Sequence, residues 1–349
     1  MWIRNYLTDR KQYVVYNQKS SDDSNIVCGV PQGSILGPLL FLLYINDLPQ
    51  SSPSSHFIIF ADDTNILFSH EDPNQLEQII NNELQKISNW FKLNKLSLNI
   101  DETNFMIFKN KYSNKPDLNF KIEIDNKHIE KVEITKFLGV LIDNNLSWKA
   151  HTSHITKIVS KYNGIIRKIR PYLNKDSLTT LYNTLVLPYL SYCTCAWGDK
   201  NNAHLEALFI AQKKIIRTCT NSLWLDHTTP HFISLKKLKI RDIYTYQLSV
   251  HMYKTHHDLL PSDLPGNIFA NQYDVHRYHT RHASDLYITP TNTKLAENTI
   301  TSQGPFIWNT MNSTIKHSIS LATFKKNLKS HIIGQYMTEI YNNEYASLE

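Results

Sequence analysis

Apolar residues recur along the chain at two spacings, and the spacing divides it. Leu76, Ile79, Ile80, Leu84, Ile87, Trp90 and Phe91 fall three or four residues apart, which predicts one buried face of a helix with Pro73 near its first turn. From Ile155 onward, Ile158, Val159, Tyr162, Ile165, Ile166 and Ile169 keep a second helical stripe. Two further helices are predicted over "DSLTTLYNTLVLPYLSY" and "HLEALFIAQKKIIRTC", making a small helical bundle. Residues 230–260 continue as helices, and "LATFKKNLKSHII" predicts an amphipathic basic helix near the end. The first half reads differently. A short helix over 2–10 is followed by β-rich runs, "QYVVYN", "NIVCGV", "TNFMIF", "FKIEID" and "KFLGVLID", each predicted as a strand. Residues 34–48 are apolar almost throughout and predict a buried helix, with Gly37 and Pro38 early, where proline is tolerated. From about 261, Pro, Asn, Thr and His rise and periodicity weakens.

One run carries chemistry. In "FIIFADDTNILF" two apolar segments flank Asp62, Asp63, Thr64 and Asn65, which predicts a strand pair with a polar turn and apolar packing on both faces. A polar turn alone accounts for the residue types. Adjacent carboxylates repel, however, unless a positive charge relieves them. A rigid carboxylate pair also suits a hard divalent cation such as Mg²⁺.

Composition narrows the picture. The 349 residues allow two or three domains, and 41% hydrophobic content is enough for real cores. Four cysteines give no disulfide framework and point to a reducing compartment. Cys193 and Cys195 form a C-x-C in an apolar stretch and read as buried thiols rather than zinc ligands. The first residues lack an apolar signal core, and the longest apolar run, 39–45, is far short of a bilayer span, so no membrane partner is expected. Net charge is +6, but residues 1–150 carry 15 Lys and Arg against 18 Asp and Glu, whereas residues 151–241 carry 14 against 4. That asymmetry suggests an anionic partner for the basic part. Lys157, Lys161 and Lys168 share the polar side of their helix. His276, His279 and His282 recur every third residue, with no acidic ligand among them. Phosphate contact alongside Arg277 and Arg281, or an ordinary polar surface, fits them better than a metal site.

"GVPQGSILGPLLFLLYINDLP" followed by "FADD", then "NKLSLNIDETNFMIF" and "TKFLGVLIDNNLSW" in that order, resembles the reverse transcriptases of non-LTR (LINE-type, jockey-like) retrotransposons. "LVLPYLSYCTCAWG", "RYHTRHASDLYI" and "SQGPFIWN" also look like the region after the palm in such elements. The resemblance implies an α+β fold: a partial right-hand polymerase palm over 1–145 with its antiparallel sheet, a basic helical thumb over 146–225, and a helical, partly irregular region over 226–349. It implies RNA-directed DNA synthesis on an RNA template and DNA primer from deoxynucleotide triphosphates, with two Mg²⁺ ions held by Asp62 and Asp63. Pro31, Gln32, Gly33, Ser34, Phe60 and Ala61 would lie near template and nucleotide, although Ser34 also reads as a helix cap. Phe137, Leu138 and Gly139 would grip the primer, or else form a core strand with a packing glycine. Lys157, Lys161 and Lys168 would touch the sugar–phosphate backbone.

The chain departs from the family in two places. The family's first catalytic strand carries another Asp, expected upstream of Met1. Glu102 stands near where the family usually has a lysine that protonates pyrophosphate. An N-terminally truncated, impaired enzyme is therefore expected. The alternative is a catalytically dead nucleic-acid-binding remnant. Nuclear and cytoplasmic locations both stay open.

Overall fold

The stripe from Leu76 to Phe91 becomes the helix Pro73–Leu93, begun by Asp72, whose side chain accepts the Asn74 amide. It belongs to a computed structural model that describes residues 2–346 except 28, 32, 110–117, 200–202, 262–268 and 279–280. The chain separates into two compact units, Met1–Val132 and Glu133–Glu349.

In the first unit, Ile45, Leu48, Ile87 and Phe91 form a small core, joined by half-buried Phe41, Phe57, Ile59 and Ile66. A second cluster sets Phe120, Ile122, Ile124 and Ile129 against Leu76, Ile80 and Leu84 of the helix. The mixed helix-and-strand character holds, and the expected antiparallel sheet is present as small separate pieces. Among the described residues the strands form two-stranded pairs, and Asn104–Phe105 pairs with Glu130–Lys131 in parallel. The segment "FKIEID" shows the reason. Only Glu123–Ile124 enters a strand pair. The helix serves other backbone groups of the run. Asn81 donates to the Lys121 carbonyl at 2.9 Å and accepts from the Glu123 amide at 3.0 Å, while Glu77 accepts from the Lys121 amide at 3.2 Å. Side chains of a helix thus replace a neighbouring strand.

The buried helix expected over 34–48 is shorter and less buried than its composition suggests. It spans Leu36–Ile45, and Leu48–Ser51 is a separate 3₁₀ turn. Ile45 is buried, but Leu39, Leu42, Leu43 and Tyr44 are exposed. A helix apolar on every side needs partners all round, and the described part of this unit offers them to one side. Of the run "NIVCGV", only Asn25 enters a strand among the described residues, as the end of Ser24–Asn25.

The second unit is helical around one large core. Lys149–Ile169 lays Ile155, Val159 and Ile166 into it, and Leu205–Thr220 contributes Leu208, Ala211, Ile215, Ile216 and Cys219. Gln212 sits fully buried with both ends of its amide used. It donates to the Leu238 carbonyl at 2.9 Å and the Tyr182 hydroxyl at 3.0 Å, and accepts from the Ile240 amide at 2.9 Å. The final helix, Leu321–Ala346, buries Phe324, Leu328, Ile332 and Tyr336, one every four residues. Cys219 is buried and Cys195 partly so. Cys193 is exposed, against expectation, because it turns the chain at φ +50 into the short helix Thr194–Trp197.

Candidate functional site

The acidic hairpin pairs His56–Phe60 with Asp63–Leu67 in antiparallel register, Phe60 opposite Asp63. Ala61 and Asp62 are therefore the two loop residues of a tight turn, and Ala61 takes the left-handed φ of +53 that such turns demand. Phe57, Ile59 and Ile66 face the core. The other face is open: Ile58 and Leu67 are exposed and Phe60 is 61% exposed. The expected packing on both faces is thus corrected to one face, as strand alternation requires when only one layer covers the hairpin. Asp62 and Asp63 are both exposed at the tip. Thr64 sits just behind them with its hydroxyl buried and unpartnered among the described residues.

In the same unit Gly33 holds φ +80 with open space where a Cβ would lie. Gly33→Ala is therefore expected to cost about 1 kcal/mol of stability, from backbone strain alone. Urea unfolding checks this, and a larger loss would reveal a packing role. Ser34 accepts the Gly37 amide at 3.0 Å, so it acts as a cap at the start of the Leu36–Ile45 helix. Pro31 is exposed, and Gln32 lies outside the described residues.

"KFLGVLID" is two strands, not one. Ile134–Phe137 pairs with Val140–Asp143, and the turn between them is Leu138 at φ +45 and Gly139 at φ +85. Leucine is a poor residue for the first place of such a turn, so the run reads as continuous. Gly139 inside it was the available signal. The Tyr192 hydroxyl donates to the Leu138 carbonyl at 2.7 Å and steadies the turn. This hairpin lies in the second unit, beside a cavity of about 640 Å³ lined by Lys136, Leu138, Gly139, His151, His154 and Tyr192, among others.

His151, not singled out by sequence, anchors the hairpin. It is 1% exposed, and its Nδ1 accepts the Leu141 amide at 3.3 Å. Its Nε2 is buried with no partner among the described residues, and its ring meets Trp197 edge-on at 5.1 Å. Burial first, then His154, pushes its pKa down to about 4, so the ring is neutral at pH 7. Asp143 organises the next turn. Its carboxylate accepts the amides of Asn145, Ser147 and Trp148 and the Ser147 hydroxyl, at 2.9–3.2 Å. Asp143→Asn replaces one acceptor oxygen by a donor. It is expected to destabilise the protein by about 2 kcal/mol, read from denaturant midpoints.

Lys157, Lys161 and Lys168 are exposed on the Lys149–Ile169 helix. The histidines do not share a helix. His276 ends Gln272–His276, His282 bonds Asp285 at 2.7 Å, and His279 lies outside the described residues. Asp62 and Asp63 suit a hard divalent cation in kind, being oxygen donors. No group of three or more His, Cys, Asp or Glu placed to hold a metal occurs among the described residues, so the pair fits as part of such a site rather than the whole.

Residues 1–142, which contain the acidic hairpin and the turn at Gly33, match the family described as Reverse transcriptase (RNA-dependent DNA polymerase). That match makes residues 1–142 similar to reverse transcriptases, and polymerases of this family generally use divalent metals. It is 27% identical over 248 residues to the probable RNA-directed DNA polymerase from transposon X-element of Drosophila melanogaster, a match covering 69% of this chain and 27% of that protein. It is 23% identical to the RNA-directed DNA polymerase from mobile element jockey of the same organism, covering 69% of this chain and 27% of that protein. It is 29% identical to a retrovirus-related Pol polyprotein from type-1 retrotransposable element R1 of Nasonia vitripennis, over 55% of this chain and 49% of that one. The chain thus spans about a quarter of the length of the first two relatives. No helix among the described residues is long and apolar enough to cross a membrane.

Proposed function

We propose that this chain is the RNA-directed DNA polymerase part of a non-LTR element, reading an RNA template, extending a DNA primer and consuming deoxynucleotide triphosphates. The observation that carries this reading is the pair of exposed carboxylates at the tip of a two-residue hairpin, inside the residues that match the reverse transcriptase family. In this reading residues 1–145 serve as palm, 146–225 as thumb and 226–349 as a C-terminal region. Asp62 and Asp63 would hold Mg²⁺, two ions in a complete site, and the ions would offset charge on the reacting phosphates. The chain's own residues do the positioning. The short loop fixes both carboxylates on one strand end, and open Phe60 and Ala61 beside them offer a surface to nucleotide and primer. Pro31, Gln32, Gly33 and Ser34 border the template. The turn at Phe137, Leu138 and Gly139 bears on the primer strand, held in shape by Tyr192 and His151. Lys157, Lys161 and Lys168 meet phosphates.

The test is primer extension on an RNA template with Mg²⁺, comparing this chain with the variant Asp62→Asn, Asp63→Asn. Incorporation that the variant loses supports the reading, whereas incorporation of equal size in both refutes it. Binding of an RNA–DNA hybrid without turnover would favour a role in nucleic-acid binding alone.

A further inference from the structure

The loop after the Leu205–Thr220 helix carries three large apolar side chains in a row into solvent. Leu223 is 76%, Trp224 65% and Leu225 89% exposed. Consecutive exposure of this kind is unusual on a protein surface and marks an interaction site. The loop is firmly tied. Asn221 closes the helix at φ +56 with its amide on the Arg217 carbonyl, which also accepts the Ser222 amide at 3.1 Å. The Leu223 amide donates to the Asp226 carboxylate at 2.7 Å. The Arg217 guanidinium donates twice to the Asp226 carbonyl, at 3.0 and 2.8 Å. The Ser222 hydroxyl sits 2.6 Å from that of Thr220 and 3.4 Å from Nδ1 of His231. Beyond the loop, Thr228 and Phe232 are buried. The backbone is therefore pinned from both flanks while the side chains of its tip stay out.

The surroundings say what kind of partner fits. The Lys214 ammonium lies 5.2 Å from the centre of the Trp224 ring, and Lys213 lies over Phe209 at 4.0 Å. Residues 205–241 hold seven Lys and Arg against two acidic residues. Arg217 is tied to Asp226, Arg241 to Glu206 and Lys239 to Glu339, and Lys237 is buried, so Lys213 and Lys214 are the cations set beside aromatic rings on this helix. Protein interfaces deplete lysine around their apolar centre. Single-stranded nucleic acid wants this combination instead: an open, pre-positioned aromatic face for a base and ammonium groups for the adjoining phosphates.

We propose that Trp224 is a stacking platform for an unpaired base of single-stranded nucleic acid, with Leu223 and Leu225 bordering the base and Lys213 and Lys214 meeting the neighbouring phosphates. This rests on the nucleic-acid reading of the chain and is independent of the Asp62–Asp63 pair. Lys214 already faces the indole ring, and most of the ring remains open to a base. The platform accepts any base, because every base offers a π face.

The test uses the whole chain and a fluorescein-labelled oligo(dT) of about 20 nucleotides, with affinity read by anisotropy across a salt series. Trp224→Ala is expected to weaken binding about tenfold at every salt concentration, the size of one lost stack, with the salt slope unchanged. Trp224→Phe should recover most of the loss. Lys213→Gln with Lys214→Gln should instead flatten the slope by one to two units. Unchanged melting of each variant guards against a folding artefact. Several outcomes overturn the proposal: equal affinity of wild type and Trp224→Ala, a loss that Phe does not repair, or a Trp224→Ala effect confined to self-association in sedimentation. Failure of the wild-type chain itself to bind oligo(dT) would sink the nucleic-acid reading as well, which separates the two failures.

Discussion

On the proposed reading, in which Asp62 and Asp63 hold the metal, replacing both by Asn should reduce nucleotide incorporation about a thousandfold, as expected when metal ligands lose their charge, while leaving stability unchanged or slightly raised. The two readouts separate because of where the carboxylates stand. Both are exposed at the hairpin tip. The backbone pairing of Phe60 with Asp63 uses main-chain groups that Asn retains. Asn also tolerates tight turns as well as Asp. What the fold gains is relief of repulsion between adjacent like charges, worth a few tenths of a kcal/mol at an exposed site. Parallel primer extension and thermal melting check both halves. A large drop in melting temperature would mean that the carboxylates hold the hairpin together, and the activity loss would then say nothing about metal.

Acidification from pH 7 to pH 4 should cost the protein about 3 kcal/mol through His151 alone. In the folded chain its pKa is pushed from the ordinary 6.5 to about 4. The unfolded chain therefore takes up a proton first as pH falls below 6.5, and stability drops until the folded form protonates too, near pH 4. Above pH 6.5 the contribution is flat. His251 and His256 are also held low by burial and add loss of the same sign. His151→Phe isolates the effect. Phenylalanine keeps a ring against Trp197 but leaves the Leu141 amide without its acceptor, so the variant starts about 1–2 kcal/mol less stable at neutral pH and loses less on acidification. Chemical denaturation at stepped pH gives both quantities. An acid loss of the same size in the variant would remove His151 from the account.

Much of this architecture is written locally. The stripe from Leu76 to Phe91 and the one from Ile155 to Ile169 gave their helices because helix periodicity depends only on neighbours in sequence. The Asp–Asp turn was legible for the same reason. What escaped depends on partners far along the chain. Whether the second face of the acidic hairpin is covered cannot be read from alternation. The "FKIEID" run looked like a sheet strand because its apolar spacing is right, yet several of its hydrogen bonds go to Asn81 and Glu77. Leu138 hid a turn because leucine seldom occupies that conformation. His151 looked like one polar residue on an amphipathic helix. Its importance comes from Leu141 and Trp197, which only folding brings to it. The row of Leu223, Trp224 and Leu225 reads as core by composition, and only the bonds around Arg217 and Asp226 show it held outward.

The open apolar side of the Leu36–Ile45 helix sets a practical conflict for anyone handling the protein. Leu39, Leu42, Leu43 and Tyr44 face water there, and residues 1–150, which carry them, hold 15 basic against 18 acidic residues, a modest net charge to keep copies apart. Strong salt is the usual means of stripping adherent nucleic acid from a basic protein. Salting-out anions such as sulfate also drive apolar faces together. A wash that cleans the basic surface is thus the one most prone to clump the preparation. A weakly salting-out salt such as chloride, or digestion of the nucleic acid by a nuclease at low ionic strength, should give dispersed material where ammonium sulfate gives aggregates.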